Sequence, residues 1–245
     1  MSRVFAIADL HLSSTGAKPM DVFGPEWVDH AERMARAWDE VVGGGDAVLL
    51  PGDLSWARNL TEAEGDLAWI GRRPGTKYLL RGNHDSWWKS AAQVRKGLPE
   101  GCFALQNDAF DLGDAVLVGA RGWTAPDDPL ATPDDAPIFA RELERLRLSI
   151  ADADRRFDRA LPRVAMLHYP PWLAGRSPTD LVAVLQRGGI GVCVYGHLHG
   201  ADQARAVTGE RDGIVYQLVA SDAVAFTPVP VAVTLRGRNR PGGPP

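Results

Sequence analysis

The chain has 245 residues, 45% hydrophobic and 24% charged, an ordinary globular composition that excludes disordered, collagenous and coiled-coil chains. Against 31 acidic residues stand 27 Lys and Arg, a formal net charge of −4, which argues against wrapping long nucleic acid by counterion release and leaves room for a locally held anion. Two cysteines, Cys102 and Cys193, without Cys-x-x-Cys spacing, supply neither a disulfide framework nor a thiolate zinc site.

That cysteine usage suits a reducing cytoplasm. Asp9 breaks the first apolar run too early for a secretion signal. No stretch approaches the ~18 apolar residues of a membrane span, so the chain is read as neither exported nor membrane-embedded. Residues 4–8 form a first buried strand. Trp27, Ala31, Met34, Trp38 and Val41 recur at helical spacing, with Pro25 in the first turn and Gly43-Gly44-Gly45 at the stop; His30 is read as a residue on the face of that helix. Ala47–Leu50 is the second strand, 60–70 a helix and 78–80 the third strand. The runs 103–105, 109–112 and 115–120 are closely spaced, as antiparallel strands are, so a second sheet is expected to begin there.

Residues 124–137 hold four prolines and four aspartates, a long loop read as an exposed connection, with an active-site lid as the alternative. Phe139, Leu143, Leu146, Ile150, Ala153 and Phe157 mark another amphipathic helix. Strands at 164–167, Val192–Tyr195, 214–219 and 229–235 follow. Alternation of strands and helices implies an α/β protein whose sheets are covered by helices, one domain over 1–235 with a flexible tail at 236–245.

Almost every strand runs directly into Asp, Asn or His. Residues 4–8 lead into Asp9-Leu10-His11, Ala47–Leu50 into Pro51-Gly52-Asp53, and 78–80 into Arg81-Gly82-Asn83-His84-Asp85. Residues 164–167 lead into His168, and Val192–Tyr195 into Gly196-His197-Leu198-His199. Ligands of open α/β sheets bind beyond the carboxyl ends of strands, where these groups would converge. Singly, each has a plainer reading: an aspartate after a strand makes an Asx-turn or caps a helix, and Gly-Asp occurs four times. Gly-His-x-His and Gly-Asn-His-Asp are rarer, and their joint position at strand ends argues against unrelated structural histidines.

Carboxylate, amide and imidazole without thiolate make a mixed oxygen and nitrogen ligand set. It suits Mn, Fe, Co, Ni or Zn and is too rich in nitrogen for Ca or Mg. Asp9, His11, Asp53, Asn83, His168, His197 and His199 outnumber the roughly four ligands of one zinc, so two divalent ions sharing a carboxylate are expected. Two such ions, less two aspartates and a shared hydroxide, leave about +1 facing the cleft, a field for a phosphoester anion.

In this order the motifs, which run from residue 9 to residue 199, resemble those of the calcineurin-like metallophosphoesterase superfamily. The resemblance implies a four-layer α-β-β-α sandwich of two mixed sheets flanked by helices. It implies that Asp9, His11 and His199 hold one ion, that Asp53 bridges, and that Asn83, His168 and His197 hold the second. It further implies attack on phosphorus by a metal-bridging hydroxide. His84, not a ligand, would contact the phosphate and protonate the leaving alkoxide; Asp85 joins it in the catalytic motif as an orienting or structural group.

The phosphoprotein phosphatases of that superfamily carry Asp-Arg-Gly where this chain reads Asp53-Leu-Ser-Trp56-Ala-Arg58, and a phosphate-gripping Arg where Ser86 and Trp87 follow Asp85. The Gly82-Asn83-His84-Asp85 form more closely resembles that of the superfamily's bacterial phosphodiesterases, cyclic-nucleotide ones included. The expected activity is therefore dimetal-dependent hydrolysis of phosphodiesters of nucleotide or cyclic-nucleotide type, with Mn, Fe or Zn foremost and Co or Ni also suited. The expected partner is a small phosphorylated substrate, with neither membrane nor extended nucleic acid and with self-association open. The alternatives are a phosphomonoesterase or protein phosphatase, and a catalytically silent metal-bearing nucleotide binder. Trp56, Trp87, Trp88 and Trp123 are candidate faces for a stacked base, rim packing being the other reading. Arg81 and Arg121 are candidate partners of phosphate oxygens, or of surface ion pairs.

Overall fold

The structure, a computed structural model, describes residues 3–16 and 18–233. Short apolar runs, too brief for helices and buried on both faces, set the central strands of each sheet. In the first sheet β1 (Val4–Ala6), β2 (Ala47–Leu50), β3 (Thr76–Leu79) and β4 (Cys102–Ala104) are parallel, and an antiparallel edge strand, Val229–Pro230, pairs with β1. The second sheet is built from β5 (Phe110–Asp111), β6 (Val116–Ala120), β7 (Arg163–Leu167), β8 (Val192–Tyr195), β9 (Gly209–Arg211) and β10 (Ile214–Leu218). Its order is β5-β6-β7-β8-β10-β9, parallel in the centre and antiparallel at both edges. With Val229–Pro230 as β11, the first sheet has the order β11-β1-β2-β3-β4.

The sheets face each other through Ala6, Leu49, Leu80, Leu117, Met166 and Val194. Helices α1 (His30–Val41) and α2 (Leu60–Gly71) cover the outer face of the first sheet through Met34, Trp38, Leu67 and Ile70. After α3 (Ala91–Gly97), α4 (Asp135–Arg156) and α5 (Asp180–Arg187) cover the second through Leu143, Leu146, Leu181 and Leu185. This is the four-layer α-β-β-α sandwich that the motif resemblance implied.

Three expectations are corrected. The strand expected at 103–105 is β4, and it lies parallel to β3 in the first sheet. The crossover that makes this possible is α3, capped where the Ser90 side chain accepts from the Gln93 amide; so short a helix cannot show a helical period. The second sheet begins only at β5, whose pairing with β6 is antiparallel. Trp27 lies outside α1, in a 3-10 turn over Pro25–Trp27, because Asp29 takes a left-handed backbone (φ 51°) and interrupts the helix. His30 opens α1 half-buried, its ring Nε2 donating to the Leu10 carbonyl. The residues expected to end the last strand, 234–235, and the tail 236–245 lie outside the described residues.

Trp87 and Trp88, candidates for base stacking, are each 1% exposed in the core under the first sheet and present no face to a ligand. Trp88→Ala is therefore expected to cost about 3–5 kcal/mol of stability, the range for emptying a large aromatic site, measured by denaturant unfolding. A folded Trp88→Ala protein with normal stability and a raised KM would reverse that assignment.

Candidate metal centre

The carboxyl ends of β1, β2, β3, β7 and β8 lie together, and each predicted ligand leaves one of them. The loops touch. A Cβ on Gly82 would lie 2.0 Å from Asp53 Oδ1, and one on Gly196 2.3 Å from Asp9 Oδ2, so only glycine lets these backbones reach the carboxylates. Asp9, His11, Asp53 and His197 all take left-handed backbones, with φ of 59°, 45°, 53° and 74°. Such conformations cost of order 1–3 kcal/mol each. Loop pairing holds several of them: the amides of Asp9, His11 and Leu12 donate to the carbonyls of Gly52, Asp53 and Leu54.

Each buried carboxylate spends one oxygen on a neighbouring ligand loop. Asp53 Oδ1 accepts from the His84 amide at 2.8 Å, and Asp9 Oδ2 from the His197 amide at 3.0 Å. The other oxygens face ring nitrogens. Asp53 Oδ2 lies 3.5 Å from His168 Nε2 and 4.0 Å from both His11 Nε2 and His84 Nε2. Asp9 Oδ1 is buried without a hydrogen-bond partner, 3.7 Å from His199 Nε2. Two groups emerge, Asp9 with His11 and His199, and Asp9 with Asp53 and His168, in each of which the donor atoms lie within 4.8 Å of one another. Asn83 and His197 join the second: Asn83 Oδ1 is 2.6 Å from His168 Nε2 and 3.1 Å from His197 Nδ1.

These residues fit metal ions. His168 Nδ1–H donates to the Pro51 carbonyl at 2.8 Å, which leaves Nε2 with a bare lone pair in a neutral ring. That lone pair faces the Asn83 carbonyl oxygen, a second acceptor, and a cation between lone pairs is what reconciles them. The unpartnered Asp9 Oδ1 and His11 Nδ1 make the same case, since buried polar atoms are rarely left orphaned.

Burial lowers the His11 and His168 pKa values below the ordinary 6.5, and burial followed by the nearby His168 lowers His197 to about 3; all three are neutral, ligand-ready imidazoles. Burial, then the Asp85 and Asp9 carboxylates, raises Asp53 well above the usual carboxylate range. Burial also acts to raise Asp9, but His199, with lesser help from His168 and His11, outweighs it and holds Asp9 below that range. His199 goes the other way: although burial opposes it, the hydrogen bond to Asp222 and the negative charge of the nearby Asp9 raise it to about 10.

His84 sits beside both groups and belongs to neither. Its side chain is 44% exposed, and its ring lies 4.4 Å from that of Trp56 and 5.7 Å from that of His11. Asp85 is fully buried and does not reach the cleft; it accepts from the amides of Leu54, Ser55 and Gly82 and from Trp87 Nε1. Its place in the catalytic motif is thus that of a positioning residue, tying the Asp53 loop to the Asn83 loop. Arg81 and Arg121 line a recess of about 20 Å³ with Glu142 and Arg145, where Arg121 pairs with Glu142 at 3.2 Å, away from the ligand groups. Trp123 borders a different pocket, its Nε1 bonded to Asp135. Trp56 stacks on His11 at 4.9 Å, with the Lys18 ammonium 3.5 Å from its ring centre.

Asp222 was missed. It accepts from His199 Nδ1 at 2.8 Å and from the Gly200 amide and Gln203 Nε2, orienting the ring so that Nε2 faces Asp9. Residues 219–221 continue from β10 to pair with Ala8, which brings Asp222 to the site. The signal was present, since Asp222 follows a strand as the other aspartates do.

Residues 2–201 match the calcineurin-like phosphoesterase family. The chain belongs to that family, whose members are metal-dependent phosphoester hydrolases. The Gene 66 proteins of Mycobacterium phages D29 and L5 are 40% and 35% identical over 86 and 85 residues, in each case 35% of this chain and 41% of the relative. The match thus spans about two-fifths of either relative's length. Among solved structures, the phosphopantetheinyl hydrolase of Mycobacterium tuberculosis is similar with a TM-score of 0.53 at 16% identity, over 99% of both chains. A second solved structure, TT1561 of Thermus thermophilus, has a TM-score of 0.53 at 15% identity, over 83% of this chain and 87% of that one. At such identities the likeness is one of fold. Among the described residues no helix is long and apolar enough to cross a membrane.

Two outcomes are expected for metal binding. Asp222→Ala, which removes the acceptor that orients His199, lowers Mn affinity about 10–100-fold, read by metal titration. In the metal-free protein His199 is cationic up to about pH 10, so a metal must displace its proton. Affinity therefore rises with pH, with about one proton released at that residue, measured by calorimetry in buffers of unlike ionisation enthalpy.

Proposed function

We propose that the chain hydrolyses phosphodiesters, small nucleotides or cyclic nucleotides among them. One ion would be held by Asp9, His11 and His199, a second by Asn83, His168 and His197, with Asp53 shared. The observation that carries this reading is the position of Asp53 Oδ2, within 4.0 Å of ring nitrogens of His11, His168 and His84: one carboxylate oxygen faces both ligand groups and the non-ligand histidine. When bound, the ions supply a nucleophile at neutral pH and Lewis-acid stabilisation of the phosphoryl oxygens.

The chain's own residues do the rest. His84, half-exposed at the mouth, holds a proton at Nε2 for the leaving oxygen, and the Trp56 ring against it restricts how the imidazole turns. Lys18, over the far side of the same cluster of rings, adds positive charge where an anion approaches. A diester is favoured over a phosphoprotein because Ser86 and the buried Trp87 follow Asp85, leaving no arginine there to grip a monoester dianion. A cytoplasmic setting is supported by Cys102 and Cys193, both free and buried.

The Mn-loaded protein is expected to cleave bis(p-nitrophenyl) phosphate faster than p-nitrophenyl phosphate. His84→Ala lowers kcat about 10²–10⁴-fold, the span for general acid catalysis, while bound Mn stays nearly unchanged by elemental analysis. Metal loss in that variant would refute the role of His84, and tight nucleotide binding without turnover under every metal would favour the silent binder. Burial, then His168 and Lys18, lowers the His84 pKa below 6.5. The proton-loaded fraction falls as pH rises through that value, so the advantage of wild type over His84→Ala narrows from acid to alkaline pH.

A further inference from the structure

A pocket of about 220 Å³ opens beside the metal ligands, between the loop after β6, the segment after β7 and the segment after β8. A ladder of rings leads from it to the ligands: Trp123 lies 4.8 Å from Tyr169, and Tyr169 lies 4.0 Å from His197. His197 thus lines the pocket and also reaches Asn83. The opposite wall is Trp172, half-buried and braced edge-on by Tyr216 at 4.8 Å. At the lip stands Leu130, 76% exposed, a large apolar side chain that a guest would cover.

The charges around this pocket are closed on one another. Arg205 faces Asp128 at 3.7 Å and Asp202 at 3.4 Å, and Arg176 faces the Asp127 carboxylate at 3.8 Å while bonding its backbone carbonyl. Two arginines against three aspartates leave a net −1. Among the described residues that line it no cation is left over to receive a second phosphate, and the surplus negative charge repels one. The volume suits a base or aryl ring rather than a whole dinucleotide, and the walls suit stacking.

We propose that this pocket receives one organic arm of the phosphodiester and selects an uncharged aromatic arm, a nucleoside or aryl group, against an arm bearing a further phosphate. The proposal rests on the hydrolase reading above for its ester and on the pocket alone for its choice of arm.

The test uses the full chain loaded with Mn and three p-nitrophenyl diesters, in which the second alcohol is methanol, thymidine 5′-linked, or thymidine 5′-linked with a 3′-phosphate. Wild type is expected to show kcat/KM about tenfold higher for the thymidine ester than for the methyl ester, as one stacked base provides. The 3′-phosphate removes that gain. Trp172→Ala brings the ratio of thymidine to methyl ester to about one. Leu130→Glu, at an exposed position that does not endanger folding, lowers the ratio and lowers it further for the 3′-phosphorylated ester. Equal kcat/KM values for the first two esters, a ratio unmoved in both variants, or preference for the 3′-phosphate overturns the proposal.

Binding of thymidine alone, followed by saturation-transfer NMR, separates the two readings. Thymidine binding that Trp172→Ala and Leu130→Glu weaken, without turnover of any ester, leaves the pocket standing and sinks the hydrolase. Turnover with no thymidine binding and no ester preference does the reverse.

Discussion

The hydrogen bonds from one ligand loop's backbone to another loop's carboxylate are what the site depends on. His84 N–H to Asp53 Oδ1 and His197 N–H to Asp9 Oδ2 join the ends of β1, β2, β3 and β8, which belong to two different sheets. Each bond satisfies one oxygen of a buried carboxylate and aims the other into the cleft. A buried carboxylate with both oxygens unsatisfied would be driven to take up a proton. With one oxygen fixed by an amide, the other is held in one direction; Asp9 then keeps its charge beside His199, whereas Asp53, still raised by burial and by Asp85 and Asp9, needs a cation to hold its own.

That arrangement explains why strain collects where it does. Four of the candidate ligand residues hold left-handed backbones, and the chain keeps them because the surrounding sandwich over-determines the loops. Asp85 is the clearest support. It is sealed from solvent and accepts three backbone amides and one indole, so the Asp53 and Asn83 loops cannot move independently. Asp222 serves His199 similarly from the second sheet. A donor set built this way is stiff before any ion arrives, and the ordering cost that a flexible site would meet on binding is already borne by the fold.

The mouth of the centre is asymmetric. On one side Trp56, Lys18 and His84 cluster beside His11, a cationic and protic rim suited to phosphoryl oxygens and a leaving group. On the other, Tyr169 and Trp123 extend from His197 into a pocket whose charges cancel to a slight negative excess. Arg81 and Arg121, candidate anion contacts in one dimension, instead line a small recess in which Arg121 pairs with Glu142. The electrostatic character of the cleft is therefore set by which face of each strand end a side chain leaves, and not by how near it lies in sequence to a ligand.

The amino-acid sequence by itself determined most of the strands, the family and the convergence of seven candidate ligand residues, because strand length and polar strand ends are local properties that survive without the fold. It could not distinguish Trp87 and Trp88, core residues, from Trp56 at the mouth, since all three follow motifs and only packing decides which ring faces water. It could not place β4, whose parallel pairing hangs on a helix too short to be periodic. Asp222 obeys the same strand-end rule, but nothing local joins it to the imidazole it orients, 23 positions away. Tertiary structure alone decided these points: they turn on which surfaces meet across the sandwich, and burial and hydrogen-bond partnership are properties of the meeting rather than of either segment.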